Sequence, residues 1–248
     1  MNKNTLRNLF SNKPISKDFL VEKVGGRIYF GPFSGLKIPQ RLNKVLTVTE
    51  ILGLYESCLH PKIGDLINSN IQNIILVGGN NGYYSAGLSY IFNPEIIRIY
   101  ETEKVLHEFI DLWFNENKLS KYEILGAATK EGFNKIDSKI DLIFMDCEGF
   151  EVELLDPSKY SWQKNSHVLL ELHPFYVNNL LSTLCDRFRE SHEIEIIYDD
   201  FNENLKVDTL LKGFNLNIEY NKHPNHRWIE EQSNKIFTSG VFLFFKRK

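Results

Sequence analysis

Four short clusters in this chain hold the residue types that do chemistry. Gly78-Gly79-Asn80-Asn81-Gly82 is a run of small and polar residues. Glycines let the backbone turn tightly and approach a ligand, and a helix starting behind them offers free N–H groups to a carboxylate or phosphate. Glu101 follows about 20 residues on, the spacing at which a carboxylate accepts hydrogen bonds from both hydroxyls of a ribose. Asp146-Cys147-Glu148-Gly149 sets two carboxylates at the end of an apolar run, where charge is rarely placed unless paired or working. Glu171-Leu172-His173-Pro174 brings a histidine, the best general-base candidate because its ordinary pKa lies near neutrality. Each has a plainer counterpart: a tight turn, a helix-capping carboxylate, a satisfied structural histidine. The Asp146/Glu148 pair is too unspecific to argue for a metal, and none is expected.

These clusters need elements to hold them, and the chain supplies an alternation. Asn73–Val77 is an apolar run of the kind buried on both faces of a sheet. A helix is expected over Tyr83–Phe92, halted by Asn93-Pro94, then a strand over Ile96–Tyr100 and an amphipathic helix over Glu103–Asn117. Further strands are read at Tyr122–Ala127, Ile140–Met145 and His167–Leu172. After a helix near Tyr176–Phe188 come strands near Glu193–Tyr198 and Gly240–Phe245, with no full crossover helix between them. Strands alternating with helices imply an α/β fold: a doubly wound, mostly parallel seven-stranded sheet with an antiparallel C-terminal strand. Each chemical cluster then falls just past a strand, where ligands bind in open α/β sheets. Residues 1–72 read as a small N-terminal cap, with a helix over Asn43–Leu59 and Gly-Pro-Phe-Ser-Gly turn signals. Residues 73–248 read as the ligand-binding domain.

Composition narrows the partners. The chain has 248 residues and 25% charged residues, with 29 Lys+Arg against 32 Asp+Glu. That near-neutral balance offers no overall field for nucleic acid or anionic lipid. Cys58, Cys147 and Cys185 are scattered and odd in number, which argues against a disulfide framework and for a reducing, cytoplasmic setting. No apolar leader is read at the N-terminus. The stretch Leu66–Pro94 lacks charge entirely, yet is too rich in Asn and Gly for a membrane span.

The glycine cluster also separates two cofactors. A dinucleotide site wants G-x-G-x-x-G; here the run is G-x-N-x-G. The shorter loop suits a ligand presenting one amino-acid carboxylate and an ammonium, which favours S-adenosylmethionine (SAM). A nicotinamide oxidoreductase is the less favoured alternative, and a nucleotide- or SAM-binding protein with a degraded site is a third.

The order GxNxGYYS, YE, GAA, DCEGFEVELL and LLELHP, with Gly53-Leu54-Tyr55-Glu56 upstream, resembles FkbM-type SAM-dependent methyltransferases over about Leu52 to Pro174. Asp146–Leu155, matching D-x-E-G-x-E followed by Leu, is the most specific part. The resemblance implies a Rossmann-like methyltransferase. Gly78, Gly79, Asn80 and Gly82 would surround the methionine part, Glu101 the ribose, Ala127 and Ala128 the adenine, and Asp146 the sulfonium end. It further implies O-methylation of a sugar or other hydroxylated small molecule, with His173 as base and Glu148 and Asp146 beside it. The chain departs from the family at Leu76, usually acidic, and at Phe144, usually basic. Tyr29, Phe30, Phe33, Tyr83 and Tyr84 are candidates for an acceptor pocket, with core packing the plainer expectation for each. His223, His226 and Arg227 form a polar cluster read as a solvated loop.

Overall fold

The computed structural model describes residues 16–119, 121–174, 177–199, 202–216, 229–232, 235–238 and 240–248. The His223–Arg227 cluster lies outside them.

Seven strands form the main sheet: β1 (Asn73–Val77), β2 (Ile96–Tyr100), β3 (Tyr122–Leu125), β4 (Leu142–Met145), β5 (His167–Glu171), β6 (His192–Tyr198) and β9 (Val241–Arg247). Their order is β3-β2-β1-β4-β5-β9-β6. The first five run parallel, and β9 lies antiparallel to both β5 and β6. The expected fold class is therefore borne out, with the antiparallel strand inserted between β5 and the edge. Strands β1 and β4 are buried along almost their whole length, as continuous apolar runs require when helices cover both faces. The order of strand succession reverses at β1, which pairs in parallel with β2 on one side and β4 on the other. That switch opens a crevice outside the strand ends.

The sequence reading missed two pieces. Between β6 and β9 lie a helix, Glu203–Gly213, and a separate antiparallel hairpin, β7 (Ile229–Gln232) with β8 (Lys235–Thr238). The expected helix over Asn43–Leu59 is broken into a helical turn over Val48–Leu52 and a 3-10 turn over Ser57–Leu59. Gly53 stops it at φ 69°, where a Cβ would meet the Phe30 carbonyl oxygen at 2.0 Å. In the cap, α1 (Lys17–Lys23), α2 (Val48–Leu52) and α3 (His60–Leu66) surround a loop closed by one bridge, Arg27 to Lys37. A capping box starts α2: the Glu50 N–H donates to the Thr47 hydroxyl and the Thr47 N–H to the Glu50 carboxylate. Such a pair satisfies two otherwise orphaned donors.

The next helices are α4 (Tyr83–Phe92), α5 (Lys104–Asn117), α6 (Lys130–Asn134), α7 (Glu151–Leu154), α8 (Leu180–Phe188) and α9 (Glu203–Gly213). Alternate residues of the central strands point to opposite faces. On one face Leu76, Phe144, Leu169 and Phe244 share a core with cap residues such as Leu20, Leu36 and Ile51. On the other, Ile75, Ile143, Leu170 and Phe245 pack with Phe133, Leu154 and Phe188. The cap is thus continuous with the main core. Among the described residues no helix is long and apolar enough to cross a membrane.

Candidate cofactor and acceptor site

A cavity of about 490 Å³ lies at the β1–β4 switch, within the usual range for a small-molecule site. Its walls come from the ends of four strands: Val77, Gly78 and Asn80; Tyr100 and Glu101; Gly126, Ala127 and Ala128; Asp146, Cys147 and Glu148. Phe150, Leu154, Thr102 and Leu106 complete it.

The glycine loop is shaped from below and from the side. The N–H groups of Gly78 and Gly79 donate to the Tyr100 carbonyl at 3.0 and 3.1 Å, fastening the loop to β2. Gly78 sits at φ 90°, and a Cβ on it would lie 1.8 Å from the Asp146 carbonyl oxygen, so only glycine lets β1 and β4 leave the sheet this close together. Asn81 ties the loop to the cap, donating its amide to Glu50 at 2.6 Å and accepting the Tyr83 N–H at 3.0 Å. Burial pushes the Glu50 carboxyl above its ordinary range, with Asn81 and Thr47 pulling the other way. Gly79 and Gly82 are not in the cavity wall: a Cβ on Gly79 would strike Ile99, and one on Gly82 would strike Trp113. Both serve the close packing of the loop against β2 and α5.

Glu101 is 8% exposed, and both its oxygens are held by backbone. Oε2 accepts from the Asn80 N–H at 2.7 Å and Oε1 from the Glu103 N–H at 2.8 Å. Each oxygen keeps a further lone pair for a ligand hydroxyl. The helix-capping reading of this residue and the ligand reading are therefore compatible.

At the opposite end of the cavity the chain reverses sharply after Asp146, through Glu148 at φ 52° and Gly149 at φ 106°. This turn holds Asp146 half-buried and leaves the Glu148 side chain 73% exposed at the rim. His173 is buried behind them, outside the cavity wall. Its Nε2 lies 3.5 Å from Asp146 Oδ1 and 3.8 Å from Glu148 Oε2, while its Nδ1 is 2.5 Å from Oε1 of Glu151. Burial works against the charged ring, but the Glu151 hydrogen bond and the charges of Glu151, Glu171 and Asp146 outweigh it, raising the pKa to about 9. The ring is thus held in its charged form near neutrality.

Sequence reasoning did not single out Glu151 or the side chains of Glu171 and Tyr55 as parts of one site. Glu151 is fully buried at the start of α7, and a buried Glu in a helical turn gives no local signal of its partner 22 residues on. Burial and the carboxylates of Glu56, Asp146, Glu171 and Glu50 together raise the Tyr55 hydroxyl well above its usual range, Glu56 most of all.

The aromatic candidates divide. Phe33, Tyr83 and Tyr84 pack together edge-on at 5.3 to 5.9 Å, the core role. Tyr84 also stacks on Phe144 at 4.4 Å and donates its hydroxyl to Glu56 at 2.6 Å. Tyr29 rests on Phe214. Phe30 lines a second, open cavity between the cap and α9, with Leu54, His60 and Lys206. None of the five lines the crevice cavity.

Leu76 on β1 and Phe144 on β4 are register partners in the sheet, both in the apolar core of the cap face.

No protein-family model and no curated protein matches the chain. Solved structures share its architecture remotely. A putative O-methyltransferase from Klebsiella pneumoniae is 9% identical with a TM-score of 0.47, over 99% of this chain and 96% of that one. A precorrin-6y C5,15-methyltransferase from Geobacter metallireducens is 10% identical with a TM-score of 0.47, over 78% and 89%. The O-methyltransferase TomG from Streptomyces achromogenes, solved with SAM, is 13% identical with a TM-score of 0.42, over 76% and 81%.

Proposed function

We propose that the protein binds SAM in the β1–β4 cavity and transfers its methyl group to an oxygen of a hydroxylated small molecule, a sugar or natural product. The observation that carries this reading is that one cavity gathers Gly78, Asn80, Glu101, Ala127, Ala128 and Asp146 from four separate strand ends. Backbone N–H groups hold Glu101 ready for a ribose, and Asp146 stands where a sulfonium would be stabilised. The strand order supports the same choice of cofactor, since the dinucleotide arrangement is 3-2-1-4-5-6 and this sheet inserts an antiparallel strand before its edge. On the motif order and the scattered cysteines we further assign the chain to the FkbM type and to the cytoplasm.

Methyl transfer asks mostly for alignment. With SAM bound, an acceptor oxygen would take the methyl carbon as the carbon–sulfur bond breaks with its electrons returning to sulfur, and the hydroxyl proton would leave to the protein. His173 and Glu148, flanking Asp146, stand where that proton goes. Bound SAM supplies the methyl group and a positive charge; Asp146, Glu148 and His173 orient the acceptor and take its proton.

Radiolabelled SAM incubated with a panel of sugars and hydroxylated metabolites tests this. Label is expected in an oxygen-methylated product, falling about 100-fold or more in His173→Ala, with SAM affinity held within about twofold. Bound SAM with no transfer to any oxygen acceptor would leave a binding protein and sink the catalytic reading.

A further inference from the structure

The sequence sets Asp146 and Glu148 close together after β4, and that pair is not the one the fold assembles. Glu148 turns outward. The donor atoms that converge are the carboxylates of Asp146 and Glu171 and a ring nitrogen of His173, all within 4.8 Å of one another. They come from the ends of adjacent parallel strands, β4 and β5. Donors around one ion with bonds of about 2.0 to 2.6 Å stand about 3 to 5 Å apart, and this set lies within that range.

A second observation, outside those three donors, points the same way. Glu151 is fully buried and reaches into the cluster: its Oε1 holds His173 Nδ1 at 2.5 Å, while its Oε2 has no hydrogen-bond partner among the described residues. Metal-binding histidines almost always give their other ring N–H to such a carboxylate, which fixes the tautomer and aims the free nitrogen at the ion. Here that leaves Nε2 on the side of Asp146. Three carboxylates, Asp146, Glu171 and Glu151, therefore surround a single imidazole, and a buried carboxylate oxygen without a partner is costly. A dication offsets most of the charge of this set.

We propose that Asp146, Glu171 and His173 bind a divalent cation at the acceptor end of the crevice. Two carboxylates and one imidazole make a hard, oxygen-rich donor set, suited to Mn²⁺ or Mg²⁺ rather than to a soft ion. Three protein ligands leave coordination positions for two oxygens of the acceptor, so the class of acceptor is a vicinal diol or a hydroxyl beside a carbonyl. With the ion bound, His173 serves as a ligand and the acceptor's proton leaves through Glu148 at the exposed rim. This catalytic role rests on the methyl-transfer reading; ion binding does not.

The test is a titration of the full chain with Mn²⁺ alone, followed by the electron paramagnetic resonance of free ion. Expected is saturable binding of about one equivalent with a Kd below about 100 μM. Glu171→Gln and His173→Gln should each weaken it about tenfold or more, while Glu131→Gln, on the exposed first turn of α6, leaves it unchanged. A melting curve for each variant separates lost ligands from lost fold. Should His173→Gln fail to fold, Glu171→Gln carries the test. Absent saturable binding, or binding indifferent to both ligand variants, the proposal is overturned. SAM affinity measured in chelator is read separately: Mn²⁺ bound without SAM keeps the ion site and removes the methyl-transfer reading, and SAM bound without Mn²⁺ does the reverse.

Discussion

The two ends of the crevice are built differently. At the β1–β3 end the polar groups that would meet a cofactor are backbone or backbone-held: Glu101 is fixed by two N–H groups from residues close by, and the glycine loop by the Tyr100 carbonyl. At the β4–β5 end the groups are charged side chains: Asp146, Glu171 and His173 meet because β4 and β5 are neighbours, and Glu151 joins them from α7. Backbone positions are set by the sheet and tolerate little change of shape. Side-chain charges can be altered without moving the sheet, so the two ends should fail in different ways.

The largest effect is expected at the junction between them. Gly78→Ala puts a Cβ 1.8 Å from the Asp146 carbonyl and should cost about 3 kcal/mol or more of stability, with SAM binding lost. Gly126→Ala meets nothing within 4 Å and should stay within about 0.5 kcal/mol of the parent. Chemical denaturation of the pair checks the contrast; equal costs would mean that strand closeness at the switch is not what Gly78 provides.

A smaller effect separates binding from turnover. Glu151→Gln keeps the shape of the side chain and removes its charge from His173. It should lower turnover about tenfold or more while SAM affinity changes less than about twofold. Steady-state kinetics beside calorimetry would show it, and a matching loss in both quantities would merge the two ends into one unit.

The smallest effect lies outside both ends. Burial, and then Lys206 beside His60 and Arg247 beside His167, hold both imidazoles down to about 4. The unfolded chain takes up these protons near pH 6.5 and the folded chain does not. Their contribution is complete above about pH 6.5 and is lost progressively as pH falls toward about 4. Melting temperature should therefore hold steady above neutrality and decline below it, more shallowly in a His60→Gln, His167→Gln double variant. An unchanged slope in that variant would assign the decline to other groups.

The same contrast explains what could be read from the sequence. The fold class, the glycine loop and the place of Glu101 after β2 were legible because each is local: apolar runs such as Asn73–Val77 mark buried strands, and the glycine run and the carboxylate follow them at fixed distances. The helix expected over Asn43–Leu59 failed because Gly53 must be left-handed where Phe30 passes against it, a contact between segments that periodicity cannot show. Likewise the packing need for glycine at Gly79 and Gly82, set by Ile99 and Trp113, is a contact between segments that the run of small residues does not show. Glu151 and Glu171 were present in the motifs, but Glu151 meets His173 across 22 residues of chain and Asp146 meets Glu171 and His173 through the pairing of β4 with β5, contacts that spacing does not encode. The charge-free stretch from Leu66 to Pro94 finds its reason in β1, the loop and α4, elements with almost no exposed polar duty.

The central claim is that the β1–β4 cavity is a SAM site organised by Glu101. Calorimetric titration with SAM and with S-adenosylhomocysteine, on the parent chain and on Glu101→Gln, tests it directly. Saturable binding of both ligands at about one equivalent, weakened about tenfold or more by the substitution, is the expected result. No heat from either ligand, or affinity that Glu101→Gln leaves untouched, would contradict it.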